Sequence, residues 1–364
     1  MSTISLCMIV RNEEKNIERC LKSAAGLVDE IIVIDTGSED RTKDICKKYE
    51  VRLFDFEWKD DFAAARNFSI EKATGDWILW LDADEELQIQ DAQALKDCLQ
   101  NKKEDFMPVQ MLHFYGSLPA SNSRSYISSA YRLFRNGVGI YFSGKIHEKL
   151  TADNIAEMIP HMTQNNFIRI LHYGYMDDEM NHKNTRNMEL LLKEKNERPD
   201  DAWIHYHLAV EYYHAQEYEY SYGYVNIAIL LFLQKEILPP SLVYKLKYDV
   251  LTAMEKFEIV LKSIEKAIEL YPDYVDLHYY KGLAEFSIGE YEQAKNTFRH
   301  CVVLGESNPE YLILAGVGSF SAFQYIARCH EMLLEEEQAK EAYCQAELLK
   351  EGKLQAEKAL TENN

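Results

Sequence analysis

The sequence predicts an α/β domain over residues 1–180, with a mainly parallel sheet between helices, followed by an all-α helical repeat domain over residues 181–364. Three observations lead to this prediction. Short apolar runs alternate with helical segments in the first half of the chain. The alternation stops near residue 180. Beyond about residue 184 the pattern is helical throughout, with small residues that recur at similar intervals.

Four apolar runs in the first domain are predicted strands, and helices separate them. In chain order they are a strand over 4–10, a helix over 14–25, a strand over 30–35, a helix over 40–49, a strand over 51–56, a helix over 62–73 and a strand over 77–82. Apolar strands joined by helices are typical of a parallel sheet covered on both faces. Because such sheets bind ligands beyond the carboxyl ends of their strands, the residues that follow each strand carry the functional prediction.

The fourth strand leads directly into an acidic cluster, in the segment WILWLDADEEL at 77–87. Asp82 and Asp84 are one residue apart, and their carboxylates would repel each other unless a cation neutralised them. A solvated strand end explains an isolated DxD pair about as well. The cluster alone therefore leaves two interpretations, a cation site and an exposed strand end.

Polar residues also follow the other predicted strands. Residues 11–14, Arg-Asn-Glu-Glu, follow the first strand, and Asp35 ends the second strand before a turn at Gly37. The helix over 62–73 carries Arg66, and a guanidinium at that position suits a phosphate group. These groups are expected to converge at one edge of the sheet, which favours the cation-site interpretation.

Four segments of the first domain together resemble a known family. VRNEE, IIVIDTGSEDRT, DFAAARN and ILWLDADE occur in the order and spacing of family 2 glycosyltransferases with the GT-A fold, over about residues 1–175. The resemblance implies a nucleoside diphosphate sugar donor, usually a UDP-sugar. It also implies that Mn²⁺ or Mg²⁺ binds the donor diphosphate at the DxD motif. Where many relatives have two successive acids, this chain has Asp35-Thr36, so the resemblance does not fix the base contact or the choice of nucleotide.

The resemblance assigns roles to residues in these motifs. The implied nucleotide-binding residues are Val10, Arg11, Glu13, Asp35, Arg66, Asp82 and Ala83, with Arg66 near the diphosphate. The implied metal ligands in the DxD motif are Asp82 and Asp84.

The later part of the first domain contains two histidine segments. Residues 132–134 and the glycine-containing turn at 136–139 predict a hairpin whose second strand leads to His147 and Glu148, while ILHYGYM places His172 at the end of another strand. Taken alone, both histidines read as polar residues at strand ends. GKIHE and HYGY, however, resemble motifs of a subgroup that carries helical repeats after the transferase domain. That resemblance makes Glu148 or His147 the candidate base and His172 a third metal ligand.

The chemistry of sugar transfer requires groups of these kinds. When a nucleoside diphosphate leaves the sugar, negative charge develops on the phosphate, and a metal ion and Arg66 would stabilise it. A carboxylate or imidazole removes the acceptor proton. The resemblance implies a single displacement that inverts the anomeric centre. Oxygen ligands suit Mn²⁺ or Mg²⁺, and an added imidazole favours Mn²⁺.

The second domain contains four copies of a pattern of small and aromatic residues at tetratricopeptide offsets. Their first positions are 39, 34 and 45 residues apart, against about 34 in a regular array, which predicts insertions in the loops. Such arrays bind peptides or proteins, although a structural or dimerising role remains open. The four copies are Ala209, Ser221, Val225 and Ala228; Tyr248, Val260, Ile264, Ala267 and Pro272; Gly282, Ala294, Phe298 and Cys301; and Ala327, Ala339, Tyr343 and Ala346.

Composition excludes several classes of protein. A formal net charge of -20 repels nucleic acid, and no apolar run reaches the roughly 18 residues of a membrane span. Seven cysteines without a CxxC pair indicate neither a disulfide framework nor a zinc site. No secretory signal pattern precedes the first strand, so we expect a cytoplasmic protein.

Two classes of function fit these features. The first is a glycosyltransferase whose repeats present a peptide or protein acceptor. The second is a peptide-binding module in which the transferase fold is inactive, and the intact Asp82, Asp84, Arg66, Glu148 and His172 argue against it. The layout resembles bacterial enzymes that glycosylate bacteriocin precursor peptides, the glycocins. Transferases that build cell-surface polysaccharide or glycolipid are the alternative within the first class.

Overall fold

The computed structural model describes residues 2–152 and 166–352, and the chain divides into two compact units. The first unit comprises Met1–Ala120 and Ser128–Met180, and the second comprises Ser121–Ile127 and Asn181–Asn364. The short segment Ser121–Ile127 therefore belongs to the helical unit, although it lies within the first 180 residues of the chain. The sequence pattern alone does not predict that this segment belongs to the second unit.

The first unit begins with the predicted alternation of strands and helices. The strands are β1 (Ile4–Val10), β2 (Glu30–Asp35), β3 (Arg52–Asp55) and β4 (Trp77–Trp80), and the helices between them are α1 (Ile17–Ala24), α2 (Thr42–Cys46) and α3 (Phe62–Lys72). The β1–β2, β2–β3 and β1–β4 pairs are all parallel. The α/β prediction is confirmed for this part of the chain.

The remaining strands turn this parallel core into a mixed sheet. They are β5 (Glu85–Ile89), β6 (Phe106–Gly116), β7 (Ser125–Arg135), β8 (Ile140–Ser143), β9 (Lys149–Ala152) and β10 (Ile168–Met176), with α4 (Ala92–Asn101) between β5 and β6. The strand order is β3-β2-β1-β4-β7-β6-β10-β5. β7 is antiparallel to β4, and β10 is parallel to β6 and antiparallel to β5.

Helices bury both faces of the sheet, as the continuous apolar strands predict. Side chains alternate along β1, so Leu6 packs in one cluster with Leu21 of α1, while Cys7 packs in another with Phe68 of α3. Leu6 and Leu21 are fully buried. Each such side chain stabilises the fold by about 1.5–3 kcal/mol relative to an exposed one. The packed sheet thus gives the loops at its carboxyl edge a rigid base.

The hairpin predicted over 132–143 does not form. β8 instead pairs antiparallel with β9 in a separate two-stranded sheet. The reason is that residues 133–135 of β7, which precede the turn, already pair with β4, and β7 lies between β4 and β6 in the main sheet.

The position predicted for His172 is also wrong. His172 lies within β10 rather than at its end, because the strand continues to Met176 past a register irregularity between His172 and Tyr175. Irregularities of this kind re-aim side chains next to functional sites.

The described residues of the second unit form helices, the short strand β11 and the beginning of β7. After α5 (Asp177–Glu197) come four helix pairs, in which α6 (Ala202–His214) precedes α7 (Tyr218–Gln234), α8 (Ser241–Ala253) precedes α9 (Phe257–Leu270), α10 (Val275–Ser287) precedes α11 (Tyr291–Leu304), and α12 (Phe320–Met332) precedes α13 (Glu336–Lys350). The strand β11 (Ile313–Leu314) corrects the prediction of a purely helical half. It pairs with Tyr126 and Ile127, in the part of β7 that belongs to this unit.

The recurring small residues lie where paired helices pack closely. Ala209, Ser221 and Ala228 are completely buried in the first pair. In the third pair, a Cβ on Gly282 would lie 2.8 Å from the ring of Phe298. The tetratricopeptide-like prediction is confirmed. The longest spacing comes from the loop between α11 and α12, which contains β11.

No helix within residues 2–152 and 166–352 has the length and apolar character needed to cross a membrane.

Candidate active site

The carboxyl ends of β1 and β2 meet at the edge where the sequence predicts the nucleotide. Val10 and Asp35 are register partners there. The Val10 carbonyl accepts hydrogen bonds from the Thr36 backbone N–H at 2.9 Å and from its hydroxyl at 3.1 Å. These bonds fix the turn after β2 and hold Asp35 at the end of its strand.

Asp35 is buried and only partly satisfied. Its Oδ2 accepts from the backbone N–H groups of Gly37 and Ser38 at 3.1 and 3.0 Å, and Lys43 lies 3.3 Å away. Burial opposes ionisation, but these hydrogen bonds hold the pKa of Asp35 below its usual value. Its Oδ1 is buried and has no hydrogen-bond partner within residues 2–152 and 166–352. An ionised carboxylate with one unused oxygen is a ready acceptor for a ligand N–H or O–H.

The other predicted nucleotide-binding residues follow β1 and β4. Arg11 is exposed, whereas Ala83 is buried. The backbone N–H of Glu13 donates to the Thr42 hydroxyl at 2.7 Å, which ties the segment after β1 to the start of α2.

Asp82 lies between two arginines. Arg66 Nη2 donates to Asp82 Oδ1 at 2.7 Å, and Arg132 Nη1 lies 3.9 Å from Asp82 Oδ2. Burial raises the pKa of Asp82, but the charges of Arg66 and Arg132 outweigh it and hold the pKa well below its usual range. Asp82 is therefore ionised, and its side chain remains 34% exposed.

Arg132 is held by a fully buried carboxylate. It donates to Glu85 through Nη2 at 2.7 Å and Nη1 at 3.2 Å, and the Asp82 backbone N–H also donates to Glu85, at 2.8 Å. Two parallel bonds of this kind fix the plane of a guanidinium. The acidic run after β4 thus contains residues in different environments, because Asp82 is partly exposed while Glu85 is buried and holds Arg132.

Both arginines lie close to the ring of Trp80. The Arg132 guanidinium lies 3.5 Å from the centroid of the Trp80 ring, and that of Arg66 lies 4.4 Å from it. The indole is itself fixed, because its Nε1 donates to the Tyr131 carbonyl at 3.1 Å. The ring and the carboxylate partners together orient both guanidiniums.

Glu148 reaches this cluster from the loop after β8. Arg66 Nε donates to Glu148 Oε1, and the Glu148 side chain is only 10% exposed. Two contacts hold the loop against α3, namely the bond from the Phe62 N–H to the Lys145 carbonyl at 2.9 Å and the bond from Asn67 Nδ2 to the Phe142 carbonyl at 2.9 Å. α3 therefore positions both Arg66 and its carboxylate partner.

His147, the other candidate base, lies in a different environment. It has a positive φ of 50°, which is uncommon outside glycine. Burial, assisted by Lys149, lowers its pKa to about 4. Its imidazole is therefore neutral near pH 7, but it is a weak base there compared with an imidazole of ordinary pKa.

The second aspartate of the motif faces a histidine. Asp84 Oδ2 lies 3.8 Å from His172 Nε2, and the Tyr173 N–H donates to the Asp84 carbonyl at 3.0 Å. Gly174 leaves room for this pair, since a Cβ there would lie 2.5 Å from His172 Nε2 and 2.6 Å from Asp84 Oδ2. The structure thus brings together two of the three predicted metal ligands.

The third predicted ligand, Asp82, is turned toward the arginines. Accordingly, the part of the chain that the structure describes contains no group of three or more His, Cys, Asp or Glu side chains arranged to hold a metal ion. Asp84 and His172 offer one oxygen and one nitrogen donor, a set that suits Mn²⁺ when a diphosphate provides further oxygens.

A comparison with known protein families finds a match in the first half of the chain. Residues 5–163 match the sequence profile of glycosyl transferase family 2. The first unit contains a family 2 glycosyltransferase domain.

Two curated relatives each match a little more than half of the chain. A TPR repeat-containing protein of Synechococcus elongatus is 38% identical over 211 residues, 56% of this chain and 51% of that protein. The SPbeta prophage-derived glycosyltransferase SunS of Bacillus subtilis is 32% identical over 204 residues, 53% of this chain and 44% of that protein. The chain thus spans about half the length of the curated relatives it matches.

Solved structures similar to the chain include two proteins. A crystal structure of MamA is 17% identical, covers 48% of this chain and 95% of MamA, and has a TM-score of 0.39. YrrB, a TPR protein with an unusual peptide-binding site, is 16% identical, covers 50% of this chain and 84% of YrrB, and has a TM-score of 0.37.

Sequence reasoning missed three residues of the family 2 domain's site. Arg132, Trp80 and Glu85 form the contacts that orient the second guanidinium, and none of them was a candidate. A signal existed for Glu85, since it belongs to the acidic run after β4. Arg132 gave no signal, because a single arginine in a strand is common and its partners are distant in sequence.

Proposed function

We propose that the chain is a metal-dependent, inverting glycosyltransferase that moves a hexose from a UDP-sugar to a side chain of a peptide or protein. The observation that carries the proposal is the position of Arg66 between Asp82 and Glu148 at the carboxyl edge of the sheet. A cation suited to the leaving diphosphate and a carboxylate suited to the acceptor proton lie side by side there.

The nucleotide would bind at the ends of β1 and β2. Asp35 supports this, because its unused Oδ1 would accept from the base or from a ribose hydroxyl. A buried carboxylate oxygen without a partner is costly, and a ligand donor would relieve that cost. Asp82 follows β4 and is partly exposed, and it would complete the ribose contact.

The diphosphate would lie against Arg66 and Arg132. Both guanidiniums are oriented by Trp80, so their charge is already placed before the reaction. Asp84 and His172 would hold the Mn²⁺, which would supply further charge stabilisation when bound. As the bond to the anomeric carbon breaks, negative charge on the departing phosphate is stabilised by the two arginines.

Glu148 would remove the acceptor proton. In the structure its carboxylate is paired with the Arg66 guanidinium. A bound diphosphate competes for the same guanidinium and would free the Glu148 carboxylate. The donor would therefore prepare the site for the acceptor.

The acceptor would be bound by the helical unit. Paired helices that pack through small residues build extended surfaces suited to a peptide. A dimerising role for the helical unit is the competing use of this surface.

All seven cysteines are free, in agreement with a reducing cytoplasm as the place of action.

The test is transfer from a panel of UDP-hexoses, in the presence of Mn²⁺, to peptides encoded near the gene. Mass spectrometry should find a hexose mass on a peptide side chain, and UDP release should match it in amount. Transfer only to lipid or oligosaccharide acceptors would replace the peptide by a glycan acceptor. Peptide binding without UDP release from any donor would contradict the enzymatic proposal.

A further inference from the structure

One face of α7 carries a stripe of solvent-exposed apolar side chains. Six large apolar residues between positions 220 and 238 are each 40–61% exposed. On the helix itself, positions 220, 223, 227, 230 and 234 follow one another at spacings of three and four residues, which is the repeat of a seam where two helices pack together. The six apolar residues are Tyr220, Ile227, Leu230 and Leu233 on α7, and Ile237 and Leu238 directly after it.

The stripe lies on the opposite side of α7 from the residues that pack against α6. Ser221, Val225 and Ala228 are completely buried, and the Ser221 hydroxyl donates to the Ala209 carbonyl of α6 at 2.7 Å. With 3.6 residues per turn, these three positions are about half a turn away from the stripe. The core of the helical unit therefore does not explain why the outward face is apolar.

The stripe also lacks charge. No charged residue occurs between positions 220 and 234, although charged residues make up 27% of the chain. The exposed faces of the corresponding helices in the other three pairs do carry charges, for example Lys262 in α9, Arg299 in α11 and Lys340 in α13. An exposed apolar patch without charge is typical of an interaction surface.

Charge favours a second copy of the chain over a membrane as the partner. Helices that lie on a membrane surface carry lysine and arginine on their polar face, whereas the one charged residue of α7 is Glu219. The formal net charge of -20 also repels an anionic bilayer. Two copies of such a chain repel each other as well, but least where both present an uncharged face. A twofold axis brings the same patch of both copies together, so the stripe would meet an equal stripe.

We propose that the α7 stripe is a self-association surface, on which a second copy of the chain packs its own α7 antiparallel across a twofold axis beside Ile227 and Leu230. The antiparallel direction keeps the two Glu219 side chains at opposite ends of the interface. Gly223 allows a close approach of the two backbones. The stripe forms the apolar core of the interface, and the polar residues around it form the rim.

The inference is independent of the proposed function, because it involves no residue of the first unit. It places the dimerising role on one face of one helix.

Leu230→Glu tests the proposal in the full-length protein, with Val303→Glu as the matched control. Both side chains are apolar, more than half exposed and located on the second helix of a pair, but only Leu230 belongs to the stripe. Sedimentation velocity from nanomolar to high micromolar concentration should show a wild-type dimer. Leu230→Glu should raise the dimer dissociation constant about 30-fold or more, as loss of a central interface residue does, while Val303→Glu leaves it unchanged.

A mixture of two charged variants tests the twofold axis. In a dimer of Leu230→Glu alone, or of Leu230→Lys alone, two like charges lie close together across the axis. A mixed dimer brings opposite charges together, so it should form at least about tenfold more tightly than either variant alone. Mixing that gives no tighter association would overturn the antiparallel arrangement about this axis.

Gly223→Glu provides a second route if Leu230→Glu does not fold. Nothing lies within 4 Å of a Cβ built at Gly223, so the substitution leaves the fold of the single chain intact, as circular dichroism would confirm, and still blocks the stripe. A dimer as tight as wild type in this variant would place the self-association on another face. A wild-type protein that stays monomeric at all concentrations would overturn the proposal, and binding of that monomer to phosphatidylcholine vesicles, lost in Gly223→Glu, would identify the stripe as a lipid-binding face.

Discussion

Arg66 Nε donates to the carboxylate of Glu148, although the two residues lie 82 positions apart in the sequence. The same guanidinium donates to Asp82 through Nη2. One buried arginine thus joins a residue after the central strand β4 to a residue in the loop after β8. This pairing connects donor binding with the candidate base, and the first two predictions depend on it.

Arg66→Lys should lower sugar transfer strongly while the protein remains folded. Lysine keeps the positive charge but lacks the planar fork that donates to Asp82 and Glu148 at once. Loss of one oriented donor to a developing charge typically lowers turnover by about 10²–10³-fold. UDP release at saturating donor measures this change, with circular dichroism as the control for folding. Turnover within about twofold of wild type would remove Arg66 from the diphosphate site.

Glu148→Gln should separate turnover from donor binding. Removal of a general base lowers turnover by about 10²–10⁴-fold. Donor affinity should stay constant or increase, because the diphosphate no longer competes with the Glu148 carboxylate for Arg66. Calorimetry with UDP measures the affinity, and steady-state kinetics measures the turnover. A parallel loss of UDP affinity would instead place Glu148 in the donor site.

Asp84→Ala should abolish Mn²⁺-dependent transfer without loss of stability. The substitution removes one carboxylate from a crowded acidic run, so the free energy of unfolding should stay constant or increase. Asp44→Ala is the control, because that side chain is 73% exposed and lies on α2. Mn²⁺ titration at saturating UDP checks the result. Normal Mn²⁺ dependence in Asp84→Ala would show that the metal binds elsewhere.

Glu30 should stabilise the first unit in a pH-dependent way. Burial raises its pKa, but hydrogen bonds from Ser5, Thr74 and Arg52 outweigh it and lower the pKa to about 2. A lowered pKa means that this stabilisation is present above the unfolded value of about 4.5 and is lost as pH falls toward about 2. Urea unfolding should therefore show Glu30→Gln to be less stable than wild type near pH 7. The difference should shrink below about pH 4, and a constant difference would contradict the assignment.

The sequence predicted the central strands closely because their signal is local. β1 and β2 have the bounds that their apolar runs indicate, from Ile4 to Val10 and from Glu30 to Asp35. Strands buried on both faces show a continuous apolar pattern, and Arg11 and Asp35 mark where these two runs end. The grouping of Arg66, Asp82 and Glu148 also followed from motifs, since the resemblance supplies long-range information that composition lacks.

The features that sequence reasoning missed depend on tertiary contacts. The contact of Arg132 with Trp80 joins β7 to β4, and it follows from the antiparallel pairing of these strands. The choice of β9 rather than β7 as the partner of β8 depends on which edges are occupied in the finished sheet. The placement of Ser121–Ile127 in the helical unit likewise depends on its pairing with β11, almost 190 residues later.

Gly282→Ala should destabilise the helical unit and leave the transferase site intact. A Cβ at this position would lie 2.8 and 2.9 Å from two ring atoms of Phe298, which is completely buried and cannot move aside at low cost. Overpacking of this kind costs about 1–3 kcal/mol, more than alanine gains over glycine in a helix.

Gly223→Ala is the matched control, because Gly223 also lies within a helix, but nothing lies within 4 Å of a Cβ built there. That variant should be as stable as wild type, or more stable by up to about 1 kcal/mol. Thermal unfolding measures both variants, and Mn²⁺ binding with UDP at a temperature where both are folded reports on the first unit. If Gly282→Ala is as stable as Gly223→Ala, the close packing of α10 against α11 at this position is wrong. If it is less stable and peptide transfer fails while UDP-sugar hydrolysis persists, the helical unit is the part that binds the acceptor.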